Sequence, residues 1–128
     1  MIEVLVTVLI LAIGLLGLAG LQSTSLRSNH SAMLRSQATV LAYDIADRLR
    51  ANRPEALTGN SDIDLEETRT GTSMVATDII AWKGNLAAML PLGDGAIERD
   101  GTSFTITVQW DDTRGAEDAK AFTLRTDL

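Results

Sequence analysis

The residues in this sequence whose side chains could carry out chemistry are few and widely separated. The single histidine, His30, is followed by Ser31, but the next acidic residue along the chain is Asp44. A Ser-His-Asp hydrolase needs its three side chains within hydrogen-bond reach of one another, and this spacing gives little support for such a triad. The paired carboxylates Asp111 and Asp112 lie in a turn-like segment, where such residues cap or solvate more often than they catalyse. We therefore predict that the chain is not an enzyme.

Motifs for metals and cofactors are missing as well. The sequence has no cysteine, no cluster of histidines and no glycine loop that would bind phosphate. A polar segment contains the four acidic residues Asp62, Asp64, Glu66 and Glu67. This run lacks the glycine and the terminal glutamate of an EF-hand loop, so we interpret it as a solvated acidic loop. We expect neither a metal nor a cofactor.

Length and charge narrow the class of protein further. The 128 residues are enough for one domain with an attached helix. The 17 acidic residues outnumber the 11 lysines and arginines, and the formal net charge is −6. Binding to nucleic acid needs a basic surface that neutralises phosphates, so we exclude nucleic acid as a partner.

The segment from Met1 to Leu21 is apolar enough to cross a bilayer. No ionisable side chain occurs between Glu3 and Arg27, and about 20 apolar residues span the hydrocarbon core as a helix. A signal peptide would carry basic residues before its apolar run and a small-residue cleavage site after it, and neither is clear here. The segment is therefore a membrane-anchor candidate. Its basic residues lie on the carboxyl side, which taken alone would place that side in the cytoplasm.

Glu3 is unusual within this apolar segment. A carboxylate in a membrane helix costs about 2 to 3 kcal/mol unless it is paired or reaches the interface. Two interpretations stay open: Glu3 pairs with a group on another molecule, or it lies among headgroups beside the positive end of the helix dipole.

Glycines at positions 14, 17 and 20 form a second unusual feature. Their spacing of three places Gly14, Gly17 and Gly20 along roughly one stripe of a helix. Small residues in membrane helices allow close helix approach or local bending, whereas glycines that simply face lipid would have no role. The stripe predicts helix packing or local melting, with the lipid-facing interpretation as the alternative.

The helical pattern continues beyond the apolar segment. Apolar residues recur at spacings of three, four and seven, which is typical of an amphipathic helix; they are Leu26, Met33, Leu34, Ala38, Leu41, Ile45 and Leu49. One helix from Met1 to Asn52 is predicted, ended by Pro54. We divide the chain into an assembly helix over 1–24, its amphipathic continuation over 25–53, and a soluble head over 54–128.

Within the head, we predict a loop over 55–76, a short helix over 78–90 and a sheet over 95–128. Thr77 or Asp78 would cap the helix, Gly84 could interrupt it, and Trp82 lies on its apolar stripe. Residues 104–110 alternate strictly, and an Asp-Gly turn precedes them. Three or four antiparallel strands packed on the long helix give an α+β fold. The predicted core residues are Leu41, Ile45, Leu49, Trp82, Phe104, Ile106, Val108 and Trp110.

Several segments resemble type IV pilins, and specifically the PilV-type minor pilins. The segments are residues 1–6 (MIEVLV), 13–22 (IGLLGLAGLQ), 35–38 (RSQA), 42–52 (AYDIADRLRAN), 90–95 (LPLGDG) and 108–112 (VQWDD). The first two are similar to the amino-terminal helix of pilins in general. Their combination with the Trp-Asp-Asp segment is more specific for PilV proteins.

The resemblance implies a structural function. In this family a prepilin peptidase removes a leader and the new terminal phenylalanine is N-methylated, so we expect Met1 to correspond to a position a few residues into the mature protein. Glu3 would meet the free amine of a neighbouring subunit, and the stripe of Gly14, Gly17 and Gly20 would melt in the filament. The implied role is a minor pilin that primes pilus assembly.

The implied partners are other minor pilins, the major pilin and a tip adhesin. The resemblance places the protein first in the bacterial inner membrane, single-pass with its head in the periplasm, and later at the pilus tip. Two alternatives stay open: a minor pseudopilin of a type II secretion system, or a plain membrane-anchored periplasmic module.

Overall fold

A computed structural model describes all residues from 1 to 128. It contains two long helices, α1 (Ile2–Ala51) and α2 (Met74–Met89), with two short helical segments between them, and three strands, β1 (Asp94–Asp100), β2 (Ser103–Trp110) and β3 (Lys120–Asp127). The chain divides into two compact units, Met1–Met33 and Leu34–Leu128. The arrangement is a long amino-terminal helix packed on a small antiparallel sheet, which confirms the predicted α+β class.

Helix α1 runs without a break over 50 residues, as the sequence pattern predicted. A short helical segment, Arg53–Glu55, follows α1. Pro54 lies in its first turn, where the backbone N–H that proline lacks would have no partner within the helix. A wider turn, Ala56–Asn60, follows and contains Gly59 at φ 89°. The prediction of a loop from residue 55 was therefore wrong for its first residues, because the helical hydrogen bonds resume after the proline.

Helix α2 begins earlier than the sequence predicted. Ser73 caps it, since the Ser73 hydroxyl accepts a hydrogen bond from the Ala76 N–H at 3.1 Å. The predicted start at Thr77 or Asp78 was wrong by about one turn. Gly84 does not interrupt the helix, which ends just before Pro91.

The three strands form a meander in the order β1-β2-β3, with both pairs antiparallel. The β1-β2 turn is the predicted Asp-Gly hairpin, in which Asp100 pairs with Ser103 and Gly101 adopts φ 66°. That left-handed conformation is one that glycine adopts at little cost.

The core lies between α1, α2 and the inner face of the sheet. Strand β2 alternates strictly between buried and half-buried residues, as a central strand does when one face is covered. The predicted core residues are each at most 5 % exposed: Leu41, Ile45, Leu49, Trp82, Phe104, Ile106, Val108 and Trp110.

Candidate functional site

The first unit of the chain, Met1–Met33, presents an unusually apolar surface. From Ile2 to Leu26 the large aliphatic side chains are all exposed, from 48 % at Val6 to 75 % at Leu16. Soluble monomers rarely leave a contiguous apolar surface of this size uncovered. The surface therefore needs lipid or another protein around it.

Helix α1 is long and apolar enough to cross a membrane. Its most apolar window has a mean hydropathy of 2.8, and none of that window is buried within the chain. The core helix of a soluble domain can be equally long and apolar, but its side chains are buried by the rest of the domain. The exposure of this window distinguishes α1 from such a helix.

Glu3 lies in the first turn of α1, where its side chain is exposed. The Thr7 hydroxyl donates to the Glu3 backbone carbonyl at 2.7 Å, and the Glu3 carboxylate has no hydrogen bond or ion pair within the chain. The positive end of the helix dipole favours an anion at this position. The carboxylate is thus free to bind a cationic group of another molecule.

Gly14, Gly17 and Gly20 all lie in regular α-helix. A side chain at any of these positions would meet no atom within 4 Å, so packing inside the chain does not require glycine there. A requirement for small residues at these positions would have to come from another molecule. Local melting of this stretch stays a prediction.

In the second unit, α1 is fixed to α2 by a buried hydrogen bond. The Trp82 indole Nε1–H donates to the Leu41 carbonyl oxygen at 2.8 Å. Trp82 is fully buried, and a buried indole N–H without a partner would be costly.

A polar cluster joins the same two helices at the edge of the core. Arg48 contacts Asp44 one turn before it, at 3.1 Å, and Asp78 on α2, also at 3.1 Å. The Asn52 amide donates to the other Asp78 oxygen at 3.2 Å. Arg48 donates hydrogen bonds to the carboxylates of Asp44 and Asp78, and these bonds raise the pKa of its guanidinium.

The acidic segment after residue 61 is held by backbone contacts. The Lys83 ammonium contacts the backbone carbonyls of Asp64 and Glu67 and the Asp94 carboxylate, the last at 3.1 Å. Burial disfavours ionisation of Asp94, but the N–H groups of Glu66 and Gly95 and the Lys83 ammonium outweigh it and lower the Asp94 pKa. The cluster closes the loop against α2 and β1.

Asp111 and Asp112 organise the connection between β2 and β3. The Asp111 carboxylate accepts hydrogen bonds from the N–H and hydroxyl of Thr113 and from the Gly115 N–H, and these bonds lower its pKa. Asp112 pairs with Lys120 at 2.8 Å. The pair therefore shapes a turn, which is the role that turn-forming carboxylates usually have.

The remaining residues with possible chemistry do not converge. His30 is exposed on α1, in a different unit from Asp44, Asp111 and Asp112. No group of three or more His, Cys, Asp or Glu side chains is placed to hold a metal ion.

Two ion pairs of the second unit, Arg48 with Asp78 and Lys83 with Asp94, were not found from the sequence. The spacing of four between Asp44 and Arg48 was a local signal for their ion pair, but nothing local indicated Asp78 as the third member. Lys83 and Asp94 come from different elements, so only the tertiary structure brings them together.

Comparison of the chain with protein-family models, with curated proteins and with solved structures finds no match.

Proposed function

We propose that this chain is a minor subunit of a type IV pilus, which joins a complex of minor pilins that primes pilus assembly and lies at the pilus tip. The main support is the double use of α1. The helix is uncovered and apolar up to Leu26, and from Leu34 onward it forms one wall of the head's core. A subunit that moves from a bilayer into a helical filament needs such a helix in both places.

In this proposal the protein starts as a single-pass protein of the bacterial inner membrane with its head in the periplasm. A prepilin peptidase processes the amino terminus, and the apolar surface of α1 then packs against helices of the major pilin and of other minor pilins. Glu3 binds the terminal amine of a neighbouring subunit. Removing two charges from water is costly, so the pair is favourable only in the correct register, and this favours one axial position.

The head supplies contacts that distinguish one subunit from another. The carboxylates of Asp94, Asp111 and Asp112 are each bound within the chain, where they hold loops and turns. We therefore propose a structural function for the head, with a tip adhesin above it as a further partner.

The decisive experiment is mass spectrometry of the amino-terminal peptide, on protein from sheared filaments and from membranes of the same cells. We expect an N-methylated phenylalanine a few residues before Met1, and recovery of the protein in the filament fraction. An unprocessed protein found only in membranes would contradict the proposal and favour a plain anchor.

Deletion of the chain then separates the pilus from a secretion system. Loss of surface filaments and twitching with normal protein secretion would support the minor pilin. Normal filaments with a secretion defect would instead identify a minor pseudopilin. Re-expression of the native chain is the control.

A further inference from the structure

The two edges of the sheet differ in how they are covered. At the β1 edge, Ile63 exchanges two backbone hydrogen bonds with Ile97, at 2.9 and 2.8 Å. Strand β3 forms the other edge, and it pairs only with β2. Eight consecutive β3 residues keep register without proline, glycine or a bulge. Of the usual protections of an edge strand, β3 has only charged side chains, those of Lys120, Arg125 and Asp127.

The backbone groups that β3 leaves unpaired follow from its register. The Leu128 N–H donates to the Thr102 carbonyl at 3.2 Å, next to the pairing of Ser103 with Asp127. Hydrogen-bonded and non-bonded positions alternate in an antiparallel pair, so the even-numbered β3 residues bond to β2. The odd-numbered residues direct their N–H and C=O away from the sheet: Ala121, Thr123, Arg125 and Asp127.

The side chains along this edge are only partly covered. On the inner face of the sheet, β2 residues are fully buried, whereas Phe122 and Leu124 of β3 are half-buried. Arg50 of α1 bonds to the Thr126 hydroxyl, which places this side of α1 beside β3. The same side of α1 carries Asp47, which pairs with Arg50 at 2.8 Å. The uncovered apolar surface at this edge is therefore that of Phe122 and Leu124, which pack against the core but are not fully buried.

We propose that the β3 edge docks an extended strand of another protein, by addition of that strand to the sheet. The added strand carries apolar side chains at the positions that face Phe122 and Leu124, because these cover the part of the two side chains that the chain leaves exposed. On its other face the added strand carries a carboxylate beside Arg125. The Arg125 side chain is 68 % exposed and lies 3.8 Å from the Asp100 carboxylate, so it remains accessible to a second carboxylate. Strand addition satisfies the unpaired backbone groups while the alternating side chains give specificity.

A second copy of this chain fits the edge less well. Antiparallel pairing of two β3 strands has its two-fold axis perpendicular to the sheet. This axis gives the two α1 helices opposite directions. Two copies anchored in one membrane therefore cannot pair in this way. Parallel pairing turns the second sheet over and places its Thr123 and Arg125 on the face that holds Phe122 and Leu124 of the first copy. The first argument uses the membrane anchoring in the proposed function, but the second does not.

Amide hydrogen exchange of the full chain in detergent micelles tests this proposal. The probe is a peptide as long as β3 in which valine and glutamate alternate. We expect the amides of Ala121, Thr123, Arg125 and Asp127 to exchange rapidly alone and at least about tenfold more slowly with saturating peptide. A peptide with serine in place of valine should give no protection. Failure of the valine peptide to protect these amides would overturn the proposal. Protection without peptide that increases with the concentration of the chain would also overturn it, because a second copy would then occupy the edge.

Two variants locate the binding. Thr123→Pro removes an outward N–H without breaking a β2-β3 bond, and it should abolish peptide binding, whereas Thr123→Ala should bind as the native chain does. Exchange of the inward Phe122 and Leu124 amides reports whether each variant is folded. Arg125→Glu should no longer bind the peptide of alternating valine and glutamate, and it should instead bind a peptide in which valine and lysine alternate. Unchanged binding in Thr123→Pro or in Arg125→Glu would place the peptide elsewhere and reject the proposal.

Discussion

The Trp82 indole donates its N–H to the carbonyl of Leu41 at 2.8 Å, and this bond joins the centre of α2 to α1 inside the core. The other tryptophan, Trp110, is equally buried, but its Nε1–H has no hydrogen-bond partner. The two tryptophans therefore fill similar volumes while differing in how their polar group is satisfied.

Replacement of each tryptophan by phenylalanine separates volume from hydrogen bonding. Both changes lose ring volume, but Trp82→Phe also loses a buried hydrogen bond, whereas Trp110→Phe removes an unsatisfied donor. We expect Trp82→Phe to lower the free energy of unfolding by about 1 to 3 kcal/mol more than Trp110→Phe does. Urea unfolding followed by fluorescence of the remaining tryptophan measures both. Equal losses would show that the Leu41 contact contributes nothing.

Two glycines of the head should respond to alanine in opposite directions. A Cβ on Gly95 would overlap the Trp82 ring and lie 2.7 Å from the Leu86 Cδ1 atom, so Gly95→Ala should destabilise the head by about 1 to 3 kcal/mol. Gly84 lies inside α2 with open space around it, and Gly84→Ala should add about 0.5 to 1 kcal/mol through helix propensity. Thermal unfolding of the two variants gives the comparison. A Gly95→Ala variant as stable as the native chain would refute the close contact.

The stability of the head should depend on the ionisation of Asp94. Its pKa in the folded chain lies below the ordinary value of 3.8, so folding favours the carboxylate more than the unfolded chain does. This contribution is fully present above about pH 4 and is lost as the pH falls through the folded-state pKa. Asp94→Asn should therefore lower Tm at neutral pH and flatten the fall in Tm below pH 4. Asp118→Asn, in an exposed loop, is the control and should follow the native curve.

Glu3 should affect assembly and leave folding unchanged. Its carboxylate has no partner within the chain, and it lies outside the unit that contains the core. Glu3→Ala should keep the native Tm of the head and reduce recovery of the protein in sheared filaments, whereas Glu3→Asp, which keeps the charge, should retain more. Quantitative immunoblots of filament and membrane fractions measure this. Normal incorporation of Glu3→Ala would remove the assembly role proposed for this residue.

Much of the fold could be predicted because its signals are local. The spacing of Leu41, Ile45 and Leu49 shows the buried side of α1, and the alternation from Phe104 to Trp110 shows the central strand. The misplaced start of α2 has a local cause too: the Ser73 cap lies in a polar stretch with no apolar periodicity to mark it. The segment after Pro54 was misjudged because proline at a first-turn position permits a new helical turn.

The sequence by itself determined the apolar helix, its amphipathic continuation and the β2 pattern, since each of these depends on residue types at short spacing. Only the tertiary structure decided which groups meet across elements: Lys83 with Asp94, Arg48 with Asp78, and the indole of Trp82 with Leu41. It also decided that β1 is covered while β3 is open. Edge exposure depends on the order of strands in space, and strands with equally polar outer faces do not reveal that order in their own residues.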